Sequence, residues 1–257
     1  MYWKDTWRFS RVNEIEIKYA GNYGAKGEKR GTRKKASPEQ IKKQNQINKE
    51  KRMRRLINAN FGEGDYWITL KYPKGTRKAT LEVKKDIRNF VAAMRRHYSK
   101  KGTEFKFIYR AEVGSRGGIH IHMIVPRIRG DDTDRAIQTA WKHGRVNFQF
   151  LDSGNHKALS EYITKPPDPN IENQLSMFPE EERNEFIKYS SSRNLIRPEP
   201  ERKVYSKWTV RKILAEGPKP SPGYYIDRES IRIGFNPYTG MNYIQYTEIK
   251  EGGGSSG

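Results

Sequence analysis

Two histidines stand one residue apart in the segment Ile-His-Ile-His-Met, residues 119–123. Side chains in a β-strand alternate between the two faces of the sheet, so His120 and His122 are predicted to share one face. Two imidazoles at this spacing can bind one divalent metal ion. The pair alone is a weak signal, because His-x-His also occurs as an ordinary surface feature.

A carboxylate is predicted to face the two histidines. Glu112 ends the preceding predicted strand, and a five-residue turn, residues 114–118, brings the two strands side by side. Two imidazoles and a carboxylate suit Mn²⁺ or Mg²⁺, with positions left open for phosphate oxygens. Arg116 lies in the turn, where it is a candidate phosphate contact or simply a solvated loop residue.

A tyrosine and a lysine share one face of a short predicted helix, residues 155–164 and the residue that follows it. Tyr162 and Lys165 are three residues apart, which places both on that face. A phenol oxygen can attack phosphorus, and an ammonium group beside it can stabilise the developing charge. The alternative is that Tyr162 is a core residue, since Tyr-x-x-Lys arises by chance in basic proteins.

The composition points to a polyanionic partner. The 257 residues include 51 Lys and Arg against 30 Asp and Glu, a net charge of +21, and 12% aromatic residues. Basic side chains neutralise phosphates, and aromatic rings stack on unpaired bases. Residues 26–55 hold 13 basic and three acidic residues. DNA-backbone contacts are predicted there for Lys34, Lys35, Arg52, Arg54 and Arg55, with a merely solvated helix face as the alternative.

Several classes of protein are excluded by what the sequence lacks. There is no cysteine, which removes disulfide scaffolds, thiolate catalysis and zinc fingers. No run approaches the roughly 18 apolar residues of a membrane span, and residues 1–10 lack the apolar region of a signal peptide. The sequence therefore predicts a cytoplasmic protein with no membrane partner.

The elements that must position the site follow from hydrophobic periodicity. Residues 66–151 alternate strand and helix patterns in the order β-α-β-β-α-β. This order predicts an α+β fold, with a ferredoxin-like or RRM-like antiparallel sheet, helices on one face and the site on the open face. Four segments are predicted: a basic N-terminal helical arm (1–62), a catalytic domain (63–167), a C-terminal α+β appendage (168–250), and a linker or artificial tail (251–257).

The order of the motifs resembles that of the HUH endonucleases, named for histidine, hydrophobic residue, histidine. A strand with Thr69 between two apolar residues comes first, then the histidine strand, then the helix with Tyr162. The likeness is greatest to single-tyrosine rolling-circle replication initiators of bacterial plasmids, mobile elements and small single-stranded DNA phages. It spans residues 66–165. Ala158 departs from it, because some relatives carry a second tyrosine or a glutamate there.

The resemblance implies a function and residue roles. His120 and His122 would bind Mn²⁺ or Mg²⁺ with Glu112 as third ligand, Tyr162 would be the nucleophile, and Lys165 would assist. The enzyme would nick and rejoin single-stranded DNA or an origin hairpin through a 5′-phosphotyrosine link, with a host helicase and polymerase as further partners. The alternatives are a single-tyrosine transposase or relaxase, a metal-dependent hydrolase that uses water, and a non-catalytic nucleic-acid-binding module.

Overall fold

A computed structural model describes residues 1–20, 37–76, 78–113, 118–166, 189–236 and 241–251. The predicted contacts Lys34, Lys35 and Arg116, most of the turn at 114–118, and the tail at 252–257 lie outside these residues. By the contacts within the chain, it divides into two compact units. One unit is residues 46–196, and the other combines residues 1–45 with residues 197–257.

The described residues form five helices and ten strands in two antiparallel sheets, which confirms the prediction of a mixed α+β protein. The helices are α1 (Pro38–Asn60), α2 (Thr80–Lys100), α3 (Thr133–Ala140), α4 (Lys157–Thr164) and α5 (Lys207–Glu216). The strands are β1 (Tyr2–Arg8), β2 (Val12–Tyr19), β3 (Tyr66–Lys71), β4 (Ile108–Val113), β5 (Ile119–Val125), β6 (Val146–Phe150), β7 (Tyr189–Ser191), β8 (Glu201–Tyr205), β9 (Tyr224–Asn236) and β10 (Met241–Lys250).

The sheet of the 46–196 unit has the strand order β6-β3-β5-β4-β7. Strict alternation in β3 and β5 sends one set of apolar side chains to the face that α2 and α3 cover. α2 contributes apolar residues at helical spacing, and it ends where Gly102 adopts a left-handed φ of 70°. The core on this face includes Ile68, Leu70, Phe90, Met94, Ile121 and Met123.

The opposite face of this sheet is not open as predicted, because helices α1 and α4 pack against it. Met53, Leu56 and Ile57 of α1 are buried there with Ile163 of α4 and Ile124 of β5. Their i, i+3, i+4 spacing forms an apolar stripe only at the C-terminal end of a helix that is otherwise strongly basic. Charge therefore masks the packing face in the sequence.

The second unit joins the beginning and the end of the chain in one sheet, of order β8-β1-β2-β10-β9. Tyr2 pairs with Tyr205, and Ile17 pairs with Ile244. Residues 2–19 are thus two strands of this sheet, whereas the sequence predicted an N-terminal helical arm separate from the C-terminal segment. α5 packs on the same core through Val210.

The strands β1 and β2 were missed because charged residues interrupt their alternation. Asp5 is 1% exposed. Arg202 donates two hydrogen bonds to its carboxylate, at 2.6 and 3.0 Å, and Lys18 forms an ion pair with it at 3.0 Å. Its main partner is distant in sequence, so nothing local indicates that this carboxylate is buried. No helix within the described residues is long and apolar enough to cross a membrane.

Replacing Ile57 by alanine should lower the free energy of unfolding by about 2–5 kcal/mol, because the side chain is fully buried against the sheet. Ile41 is the matched control, since it lies on the same helix and is 51% exposed. Ile41→Ala should cost less than about 1 kcal/mol. Urea unfolding of both variants measures the difference, and equal losses would show that α1 does not pack as described.

Candidate functional site

The strand register places the predicted residues on one face of the sheet. On β5, His122 lies opposite Arg110 of β4 and opposite Thr69 of β3. His120 lies opposite Glu112 on β4. Because each pair is directly cross-strand, the imidazoles and the carboxylate converge on the face that carries α1 and α4.

Helix α4 brings Tyr162 to these side chains. The Tyr162 hydroxyl donates a hydrogen bond of 2.7 Å to Oε2 of Glu112 and lies 3.0 Å from Nε2 of His122. Ile163, the next residue, is fully buried and anchors the helix. The structure therefore brings Tyr162, Glu112 and His122 into direct contact.

The His122 ring is held from two further sides. Thr69 Oγ1 lies 3.2 Å from Nδ1, and the indole of Trp67 stacks on the ring with centroids 5.5 Å apart and planes 18° apart. Burial lowers the pKa of His122 to about 4, since the imidazolium form loses its hydration. The ring is neutral at physiological pH, with Nε2 directed at the phenol.

Two cations flank the Glu112 carboxylate. Oε1 lies 3.1 Å from Nε of Arg110 and 3.2 Å from Nζ of Lys165. Burial acts to raise the pKa of Glu112, but the hydrogen bond from Tyr162 and the two positive charges outweigh it and leave that pKa below its usual value. Burial and the adjacent carboxylate raise the pKa of Tyr162. The resting site thus pairs a carboxylate with a protonated phenol.

The ion pair between Arg110 and Glu112 is not a hydrogen bond. Arg110 Nε and Glu112 Oε1 are both buried, and neither atom has an aligned hydrogen-bond partner within the described part of the chain. The 3.1 Å distance and the alignment thus disagree about this contact, and we treat it as an ionic attraction.

Arg110 also binds the end of α4. Its Nη1 donates to the carbonyl oxygens of Tyr162, Ile163 and Lys165 at 3.3, 3.0 and 2.6 Å. The last carbonyls of a helix have no partners within it, so a cation there satisfies them and opposes the helix dipole. One buried side chain, 3% exposed, thereby attaches the tyrosine helix to the sheet.

The predicted three-ligand metal site is not assembled by this geometry. Among the residues that the structure describes, no three His, Cys, Asp or Glu side chains are grouped so as to hold a metal ion. The two imidazoles lie close, with centroids 6.3 Å apart, and their chemistry suits a divalent cation. Glu112 instead contacts Tyr162, Arg110 and Lys165.

The remaining predicted contacts are less closely tied to the site. Arg52 is exposed on α1, and Arg54 and Arg55 are partly buried on the same helix. The sequence interpretation assigned no role in the site to Arg110 or Thr69, and it treated Trp67 as a base-stacking or core residue. The period of two places all three on the histidine face, which was the available signal.

Residues 65–167 match a family model described as replication-associated protein, of the ORF2 type. This range contains the histidine strand, the Glu112 strand and the Tyr162 helix. No curated protein and no solved structure matches the chain significantly. The family match supports a replication initiator of the Rep type, a class of DNA-binding protein with a role in replication initiation.

Replacing Arg110 by leucine should lower the free energy of unfolding by about 3–5 kcal/mol, because it leaves the buried Glu112 carboxylate without its main counter-charge and the α4 carbonyls without a donor. Arg88 on α2 is exposed and serves as control. Urea unfolding of Arg88→Leu should show a change within about 0.5 kcal/mol. Similar losses in both variants would contradict the anchoring role.

A left-handed residue starts the tyrosine helix. His156 has φ 53° and ψ 27°, and its side chain is 6% exposed. Burial lowers its pKa from the ordinary value of 6.5, because the charged form is poorly hydrated there. The folded state therefore binds fewer protons than the unfolded state at mildly acidic pH.

Stability should fall as the pH drops below about 6.5 and continue to fall toward the lower folded-state pKa of His156. His156→Asn removes this titration and keeps a residue that tolerates the left-handed conformation. The free energy of unfolding of this variant, measured by urea between pH 7 and pH 5, should depend less steeply on pH than that of the wild type. Parallel slopes would show that His156 does not contribute.

Proposed function

We propose that the protein is a site-specific single-stranded DNA nicking and joining enzyme that initiates rolling-circle replication, with Tyr162 as nucleophile. The observation that carries the proposal is the position of the Tyr162 hydroxyl, in contact with Glu112 and His122 inside the segment that matches the Rep family model. A tyrosine that were only a core residue would have no need of a carboxylate and an imidazole at its oxygen.

The chemistry follows from the phenol. Oη attacks the phosphorus of a DNA phosphodiester, the bond to the 3′ oxygen breaks, and a 5′-phosphotyrosine and a free 3′ hydroxyl result. Attack by a 3′ hydroxyl on the phosphotyrosine reverses the reaction and rejoins the strand without a nucleotide cofactor. Lys165 Nζ lies 4.1 Å from the centroid of the Tyr162 ring, where its charge can stabilise the developing anion.

The arrangement of the sheet supports the same proposal. The elements β3, α2, β4, β5, α3 and β6 follow the β-α-β-β-α-β order, and their strands lie in the order β6-β3-β5-β4. We interpret this as a ferredoxin-like domain whose two central strands present the histidines and their partners. Single-stranded DNA or an origin hairpin is the proposed substrate, held by basic residues such as Arg52, with a host helicase and polymerase as partners in the cytoplasm.

A divalent cation, Mn²⁺ or Mg²⁺, remains a proposal from the resemblance, with His120 and His122 as its ligands. The three-ligand set with Glu112 does not fit the contacts of that carboxylate with Tyr162, Arg110 and Lys165. Each step of the proposed reaction therefore involves only side chains of the protein and the DNA.

The test is a covalent adduct that survives denaturation. The protein, Mn²⁺ and labelled single-stranded oligonucleotides covering the origin of its replicon are mixed and separated on a denaturing gel. The label should remain on the wild type and on Tyr225→Phe, a control at a tyrosine outside the 46–196 unit. Tyr162→Phe should reduce the adduct more than about a thousandfold, because no other group replaces the nucleophile.

Two other outcomes would each reject the proposal. Cleavage without an adduct that persists in Tyr162→Phe would indicate a nuclease that uses water. DNA binding with neither cleavage nor adduct would indicate a non-catalytic binding module.

A further inference from the structure

The two oxygens of Glu112 have different partners. Oε2 accepts the hydrogen bond from the Tyr162 hydroxyl, at 2.7 Å. Oε1 lies between the cations Lys165 and Arg110, at 3.2 and 3.1 Å. The cations hold the carboxylate in one orientation, with Oε2 directed at the phenol.

The phenol hydroxyl occupies the space between Glu112 and His122. Glu112 Oε2 and His122 Nε2 are 3.6 Å apart, and Tyr162 Oη lies 2.7 Å from the first and 3.0 Å from the second. Glu112 therefore serves the oxygen that performs the attack. It does not meet both histidines as a third ligand in the described part of the molecule.

From this geometry we propose that Glu112 is a catalytic residue that aligns the Tyr162 hydroxyl and accepts its proton during attack on the DNA phosphate, and is not a metal ligand. This inference rests on the proposed nicking and joining function. It assigns to the carboxylate a role different from the one that the resemblance implies.

The proton transfer balances with the bonds that change. As the bond between Tyr162 Oη and phosphorus forms, the phenolic proton passes to Glu112 Oε2. The bond from phosphorus to the 3′ oxygen breaks, and that oxygen takes a proton from water to become the free 3′ hydroxyl. The carboxylic acid then returns its proton to the hydroxide left in solution. In the joining direction the same groups act in reverse.

Arg110 and Lys165 limit the motion of the base. Arg110 is 3% exposed and is also bound to the carbonyls at the end of α4, so the carboxylate and the tyrosine helix share one anchor. A base held at a fixed distance from the nucleophile needs no rearrangement before the reaction. Lys165 is more exposed, at 45%, and lies at the solvent side of the pair.

The experiment compares three variants in two measurements. Glu112→Gln keeps the shape of the side chain but cannot accept the proton. Glu161→Gln is the matched control, since it lies on α4 next to Tyr162 and is exposed. His120→Ala removes one predicted metal ligand. The rate of adduct formation is measured in a single turnover, and Mn²⁺ binding is measured by the electron paramagnetic resonance signal of free Mn²⁺.

Glu112→Gln should slow adduct formation about 10²- to 10⁴-fold, the range for loss of a general base, and should bind Mn²⁺ within about twofold of the wild type. Glu161→Gln should match the wild type in both. His120→Ala should weaken Mn²⁺ binding by at least about tenfold, comparable to the loss of a metal contact. If the wild type binds no Mn²⁺, the adduct rates alone decide.

The proposal is overturned if Glu112→Gln forms the adduct as fast as the wild type, or if it loses Mn²⁺ binding as strongly as His120→Ala. Absence of an adduct in the wild type would instead reject the proposed function, which keeps the two failures distinct. Should Glu112→Gln not fold, judged by circular dichroism, Glu112→Asp replaces it. The shorter carboxylate should retain Mn²⁺ binding and slow the adduct about tenfold or more, whereas an unchanged rate would overturn the proposal.

Discussion

A single buried guanidinium holds the candidate site together. Arg110 lies on the central sheet beside the Glu112 carboxylate, and it also binds three carbonyls at the end of the tyrosine helix. α4 has only eight residues, too few to be stable without tertiary contacts. The position of Tyr162 relative to the histidines therefore depends on an ion pair and its hydrogen bonds, as much as on apolar burial.

Packing on both faces of the sheet gives the site its rigidity. The face with α2 and α3 holds a large apolar core, while the face with α1 and α4 has a smaller one that includes Trp67 and Tyr162 at its edge. The nucleophile is thus partly a core residue and partly a reactive group. Its ring is fixed by Trp67, whose indole meets it edge-on at a centroid distance of 5.9 Å, and its oxygen is left to the polar side chains.

The sequence predicted the face of each site residue but not its partner. A period of two assigns His120, His122 and Glu112 to one face, and the register agrees. Periodicity cannot indicate that the phenol of Tyr162 lies between the carboxylate and His122, because that depends on how α4 packs on the sheet. The same limit applies to β1 and β2, where the buried Asp5 is neutralised by Arg202, far away in the chain.

The sheet that joins both ends of the chain has a consequence for synthesis. During translation β1 and β2 emerge first, but their neighbours β8 and β10 follow only after the whole 46–196 unit has been made. That unit is in effect an insertion within another domain, connected to it through two chain crossings. The nascent protein can therefore complete its catalytic half before its outer half, and one proteolytic cut at either crossing would leave the two halves covalently joined.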